Sequence, residues 1–413
     1  MDSIDELVAI WKASGNLMSF ETQTMEWLFR WMQHQVAGVF ARLDQAVVWQ
    51  KQAEGWRVDS HRDERVIQFL FGPVTIAHTR MVAPDGHASY PLDSLLKLRK
   101  RMRYSPNVAY EVAALARRMT CRQVVQTLKH WTQVQMSPPT VMRCVRAVGA
   151  AQEGQDEARV RRGADDRQLR RAPAFLFLEA DGTLIHGTKK RQLIEIQHFI
   201  LYEGWAENGK RRWIQRPYAC LTHRGSETLW VQAEAILQER YRLKQTQVVG
   251  NSDGGSGYDA EHFRLACYGT DRKVLVQLDA FHVAQALRRA LHGAKAWISR
   301  VQTAIRKKDK DRVVALLDTY ESRLKEPDAK RRKRRLDQVE KLKGYLTGNW
   351  KRLFDWREKL KTGGRELPAH AGRLGAMESN QRCITYRMKH RGMHWGPSTE
   401  GMVKVIQGLR NGT

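Results

Sequence analysis

Between residues 5 and 50 the apolar side chains Trp27, Leu28, Trp31, Met32, Val36, Val39, Phe40 and Leu43 recur at three- and four-residue spacing. That period predicts a helix with one apolar stripe, and such a stripe reads first as core and second as a dimer surface. Farther on, Val66-Ile67-Gln68-Phe69-Leu70-Phe71 and Val74-Thr75-Ile76 flank Gly72-Pro73, which predicts a hairpin over 65–82 with the Gly-Pro pair as its turn. From Leu92 to Gly149 the pattern is helical again. Its second half runs from Thr120 to Leu128, breaks over polar residues, and resumes at Ser137-Pro138-Pro139 with serine placed to cap and proline placed to start a helix. Helix, short turn and capped helix make a helix-turn-helix layout that would present Thr140 and Arg143 to a DNA groove. A plain helical hairpin is the alternative.

Residues 150–172 are rich in Gln, Glu, Asp, Arg, Gly and Ala and poor in large apolar side chains, so a linker is expected there. Beyond it strands and helices alternate. Strands are expected at 174–181, 193–202, 213–222, 246–251 and 274–278, with helices at 227–241 and 260–267. Three strands in succession, then helix-strand-helix-strand, predict an α/β fold with a mixed sheet and helices on its faces. Residues 283–361 read as an all-helical insertion, Thr362-Gly363-Gly364 as a loop, and 375–390 and the stretch to Leu409 as closing helices. The expected division is therefore an N-terminal helical region at 1–60, a hairpin plus helix-turn-helix-like region at 61–150, a linker at 151–172, a core in two parts at 173–282 and 362–413, and the insertion at 283–361.

Charge sharpens this picture. The 413 residues carry 71 Lys+Arg against 44 Asp+Glu, a formal charge of +27. Such a surface attracts phosphate backbones through counterion release, so nucleic acid is the expected partner. The unbroken run Lys330, Arg331, Arg332, Lys333, Arg334 and Arg335 reads equally as a solvated helical face or as a phosphate-contacting surface. A membrane partner would need a basic amphipathic anchor or an apolar stretch of ~20 residues, and neither is present. The five cysteines are scattered, with no zinc-knuckle or redox spacing, and are expected to be reduced core thiols of a cytoplasmic protein. Met1-Asp2-Ser3-Ile4-Asp5-Glu6 is not the start of a signal peptide.

Three acids carry candidate chemistry. Phe175-Leu176-Phe177-Leu178 runs into Glu179-Ala180-Asp181-Gly182, Val248-Val249 runs into Asn251-Ser252-Asp253-Gly254, and Glu378 stands alone in Ala376-Met377-Glu378-Ser379-Asn380. Acids at the carboxyl ends of neighbouring strands, joined by one from a helix, can hold two divalent ions ~4 Å apart for phosphodiester chemistry. Each Asp-Gly alone is also ordinary turn chemistry. Glu179 shares a strand face with Asp181 and is a lesser ligand candidate. Asp279 and His282 flank one turn and could bond each other beside the site. No set of ligands completes a zinc site, and neither a Gly-x-Ser-x-Gly elbow nor a Gly-x4-Gly-Lys-Ser/Thr loop occurs.

In order along the chain, Phe71-Gly72-Pro73-Val74, Glu179-Ala180-Asp181-Gly182, Ser252-Asp253-Gly254, Leu278-Asp279-Ala280-Phe281-His282, Met377-Glu378-Ser379-Asn380 and Arg387-Met388-Lys389 through Trp395 resemble the ISLre group of bacterial insertion-sequence transposases. That group was long carried as an uncharacterised protein family and is related to the Mutator-like transposases with an Asp-Asp-Glu site. The resemblance covers about residues 65–410. It implies a ribonuclease H-like core and two magnesium ions, replaceable by manganese, held by Asp181, Asp253 and Glu378, with Asp279 and His282 as accessory groups. It also implies a nucleoid-associated enzyme that hydrolyses DNA at the element's terminal inverted repeats and joins the 3′ end to target DNA, acting as a dimer or larger oligomer. Gly254-Gly255-Ser256-Gly257-Tyr258 departs from the pattern, which has Ala and Trp in this loop. A structure-selective nuclease on the same core and a non-catalytic DNA-binding regulator are the rival readings.

Overall fold

The computed structural model describes residues 3–163, 170–362, 367 and 374–412, and in it the first apolar stripe divides its labour. Helix α1 (Ser3–Ala13) is followed by α2 (Leu17–Ala53), whose start is fixed by Asn16 accepting from the Ser19 N–H at 2.9 Å. On α2, Val36, Phe40 and Leu43 pack against Ile67, Val74, Ile76 and Leu92, whereas Leu28, Trp31 and Val39 are exposed. Strands β1 (Arg57–Phe69) and β2 (Gly72–Val82) form the hairpin, and β3 (Ala88–Ser89) adds to its edge. Phe69 pairs with Gly72, so the turn is Leu70-Phe71 and not the expected Gly72-Pro73. Gly72 instead begins β2 with φ +115°, a conformation that suits glycine. Helices α3 (Pro91–Leu95), α4 (Pro106–Ala116), α5 (Cys121–Trp131) and α6 (Pro138–Arg162) follow.

The chain divides after Gly149 into two compact units, with the boundary inside α6. The linker expected over 151–172 is therefore helical as far as Arg162. Its buried residues are polar, Gln152 and Asp156, and the linker-like composition concealed them.

The second unit begins with β4 (Phe175–His186) and β5 (Leu193–Tyr202). A separate two-stranded hairpin, β6 (Trp205–Asn208) and β7 (Arg211–Ile214), precedes β8 (Tyr218–Thr222), so the strand expected at 213–222 is split in two. Helix α7 (Ser226–Arg240), β9 (Gln247–Ser252), α8 (Ala260–Ala266) and β10 (Leu275–Leu278) complete the alternation. The five strands lie in the order β10-β9-β4-β5-β8. The pairs β4–β5 and β5–β8 are antiparallel, while β4–β9 and β9–β10 are parallel. The fold is mixed α/β.

Helices cover both faces of this sheet. Leu229, Trp230, Ala233, Ile236 and Leu237 of α7 and Phe263 of α8 pack on Leu176, Leu178, Phe199 and Val248. On the other face Trp356 and Leu360 of α13 (Trp356–Thr362), with Ala376 and Met377 of α14 (Ala376–Met388), meet Phe177, Ile200, Tyr202 and Val249. Between β10 and α13 lie α9 (Ala280–Ala290), α10 (Lys295–Arg306), α11 (Lys310–Ser322) and α12 (Ala329–Gly348), with a core of their own around Leu287, Val301, Leu317, Val339 and Leu346. The expected loop glycines Gly363 and Gly364 lie outside the described residues. Helix α15 (Thr399–Asn411) packs against β8. Among the described residues no helix is long and apolar enough to cross a membrane.

Candidate functional site

Asp181 is not at the end of its strand. β4 continues to His186 and pairs Asp181 with His198 of β5. What ends is the parallel ladder on the other side, whose last pair is Ala180 with Ser252. Asp181, still within β4, and Asp253, the first residue past the end of β9, each follow that last pair, at the point where the chain leaves the sheet and a cleft opens. The two Asp-Gly pairs then differ. Gly254 has φ +81° and is a turn glycine. Gly182 continues the strand, and a Cβ there would fall 2.0 Å from Glu195 Oε1. Gly255 N–H donates to Asp253 Oδ1 at 2.8 Å, and Tyr345 of α12 donates to the Asp253 carbonyl at 2.8 Å, so the helical insertion steadies this loop.

Glu378 reaches the same cleft from α14 because Glu179 holds the start of that helix. Gly375 and Ala376 N–H donate to Glu179 Oε1 at 3.0 Å each, and Met377 N–H donates to Oε2 at 2.9 Å. Tyr202 Oη and Asn251 Nδ2 donate at 2.7 and 3.1 Å. A carboxylate against the positive end of a helix satisfies orphan N–H groups and complements the dipole. Glu179 is fully buried and does not line the cleft, which corrects its reading as a lesser ligand. Glu179→Ala is expected to cost about 3 kcal/mol, because three helix N–H groups and the Tyr202 hydroxyl lose a buried charged partner. A thermal melt checks this, and an unchanged melting temperature would refute the anchoring role.

Asp279 begins α9, accepting from Phe281 N–H at 2.7 Å through one oxygen and from Asn251 Nδ2 at 2.8 Å through the other. His282 turns to Asp181, Nε2 to Oδ2 3.4 Å, rather than to Asp279 as the spacing suggested. Asp181 Oδ2 also accepts from Gln381 Nε2 at 2.6 Å. One cleft is thus lined by Asp181, Asp253, Asp279, Glu378 and His282. Burial, together with the charges of Asp181 and Asp279, raises the Asp253 carboxyl above its usual range against the pull of Gly255 N–H and His282. The hydrogen bond to Asp181, with the surrounding carboxylates, raises His282 against its burial.

The donor set is four carboxylates and one imidazole, with no thiol, which suits a hard divalent cation such as magnesium or manganese better than zinc. The cleft itself is tight, about 10 Å³, room for one water-sized particle. Among the described residues, no three His, Cys, Asp or Glu side chains converge closely enough to ligate an ion in this arrangement.

The model of the uncharacterised protein family UPF0236 matches residues 13–413. The chain belongs to that family. A UPF0236 protein in the vanSb 3′ region of Streptococcus gallolyticus is 30% identical over 415 residues, covering 100% of this chain and 87% of its own length. Two UPF0236 proteins of Caldanaerobacter subterraneus subsp. tengcongensis are each 19% identical over 326 residues, covering 78% of this chain and 64% or 61% of their own lengths.

The DNA-contact candidates of this UPF0236 chain fare unevenly. Thr140 is buried, with its hydroxyl bonded to Ser137 and accepting from Arg143 Nη2 at 2.6 Å, so it closes the first turn of α6 and cannot enter a groove. Arg143 is exposed beside it. Lys330, Arg331, Arg332, Lys333 and Arg334 are exposed on the first turns of α12, while Arg335 pairs with Glu326 at 3.2 Å. Sequence reasoning missed Asn251, which ties Glu179 to Asp279, and Gln381, which holds Asp181. Gln381 was within reach, since it stands three residues after Glu378 and so on the same helix face.

Proposed function

We propose that this chain is an Asp-Asp-Glu DNA transposase with a ribonuclease H-like core. The observation that supports it most directly is the gathering of Asp181, Asp253 and Glu378, 197 positions apart from first to last (378 − 181), around one cleft at the edge of the parallel strand pair. With β4, β5, β8, β9 and β10 counted as strands one to five, the sheet order 5-4-1-2-3 with its antiparallel second strand agrees with such a core. Asp181, Asp253 and Glu378 would hold magnesium or manganese ions, which when bound polarise the scissile phosphate and activate the attacking oxygen. The chain's own residues do the rest. Asp279 and Asn251 fix the floor of the cleft, His282 and Gln381 orient Asp181, and Glu179 sets the position of the helix bearing Glu378. The net charge of +27 favours DNA as the substrate. Because two element ends must be handled together, a dimer or larger assembly on DNA belongs to this reading.

The test is strand transfer by the whole chain with magnesium, using labelled duplexes that carry the ends of its element. Joining of a precut 3′ end to a second DNA is the expected product. Cleavage without joining would favour a structure-selective nuclease, and no reaction under any divalent ion would favour a DNA-binding regulator.

A further inference from the structure

From the acidic cleft a wider groove of about 700 Å³ leads away, and Asp181, His282 and Glu378 line both. Two helical stripes form its walls. On α9 they are His282, Gln285 and Arg289, spaced by three and four residues; on α14 they are Glu378, Arg382 and Thr385, with Lys389 at its C-cap, spaced by four, three and four. Each set therefore occupies one helix face. At 1.5 Å per residue, Lys389 lies about 16 Å along the helix from Glu378. The groove thus begins at carboxylates and ends at cations, with amide and hydroxyl groups between. Arg289 leans on Gln285, Nη2 to Oε1 3.3 Å. Among the described residues, neither Arg382 nor Lys389 has a carboxylate partner, and both are exposed. Phe281, 43% exposed, adds an aromatic face to the same wall.

We infer that this groove takes the sugar–phosphate backbone of the DNA strand whose scissile phosphate sits over the acids, with Arg289, Arg382 and Lys389 on successive phosphates. The inference rests on the catalytic reading of the acids for its polarity, though not for its binding. A small phosphorylated ligand would call for cations clustered around one point. Here they stand on both walls, and Arg382 and Lys389 alone are about 10 Å apart along the helix at 1.5 Å per residue, too far to grip one phosphate together. Phe281 offers a base a stacking surface near the acidic end.

The experiment is fluorescence anisotropy of the whole chain with an end-labelled single-stranded DNA of about 15 nucleotides, in EDTA, across a salt series. The triple variant Arg289→Ala, Arg382→Ala, Lys389→Ala is expected to bind about tenfold more weakly at low salt. Its slope of log affinity against log salt should be shallower by about 2, three contacts at ~0.7 each. An equal charge loss elsewhere on the second unit, Lys210→Ala, Arg211→Ala, Lys244→Ala, is expected to leave most of that slope. Equal losses in both triples, or none in the groove triple, overturn the inference. Arg382→Glu, a single exposed reversal, must weaken binding further than Arg382→Ala if a phosphate passes there. Divalent ions are absent from this assay, so loss of strand transfer and loss of strand binding are read separately. An active Asp253→Asn protein with an impaired groove triple would sink the catalytic reading alone.

Discussion

Replacing Asp253 by Asn is expected to lower the strand-transfer rate about 10³-fold, roughly 4 kcal/mol of barrier, while the protein stays folded and melts at or above the wild-type temperature. The two halves of this expectation share one cause. Asp253 is a carboxylate placed against its will, with burial and the charges of Asp181 and Asp279 opposing its ionisation. Asparagine keeps the shape and the acceptor for Gly255 N–H at 2.8 Å, and it removes the repulsion. The folded state therefore gains, or at least loses nothing. The site loses the charge that would hold a divalent ion against a phosphate. Activity and stability moving in opposite directions is the signature of a group retained for chemistry. Single-turnover strand transfer and a thermal melt on the same preparation measure both. A variant that keeps its rate removes Asp253 from the chemistry; one that unfolds makes it a structural residue.

How far this site could be read from the chain depends on which residues hold it. The apolar runs that end near Asp181 and Asp253 locate two strands, and their Asp-Gly pairs mark where the ladder opens, because a strand buried on both faces is nearly all apolar. The same runs mislead about length. After Asp181, Thr183 and Ile185 are buried between exposed Leu184 and His186, an alternation that starts only once β9 has left the sheet. Glu179 shows the harder limit. Its spacing from Asp181 suggests a shared face, yet three of its partners are backbone N–H groups nearly two hundred residues away, and backbone groups leave no trace in sequence. Thr140 fails for a related reason. A hydroxyl that closes a helix turn looks, in sequence, like one offered to a groove. Residues 151–162 read as linker because their buried side chains are polar and so lack the apolar period that marks a helix.

The polar burial in that stretch supports the second large prediction, that Lys404→Met destabilises the second unit by about 3–5 kcal/mol and that adding Asp156→Leu restores most of it. Lys404 is fully buried on α15, and its Nζ donates to Asp156 Oδ2 at 2.7 Å, Gln232 Oε1 at 3.0 Å and Gln407 Oε1 at 3.2 Å. Three donors thus meet three acceptors in a site without water access. Gln407 Nε2 and Arg159 also reach Asp156, at 2.8 and 3.1 Å. Methionine fills the volume of the lysine stem but leaves the Asp156 carboxylate buried with its strongest partner gone. That loss is a large part of the 5–15 kcal/mol that holds a typical domain together. Leucine at 156 removes the stranded charge and replaces the pair with apolar contact, an exchange that is often neutral. Urea midpoints of both variants decide the matter. A double variant no more stable than Lys404→Met alone would mean that the network as a whole, with Gln232 and Gln407, and not the ion pair, fastens the end of α6 to α15.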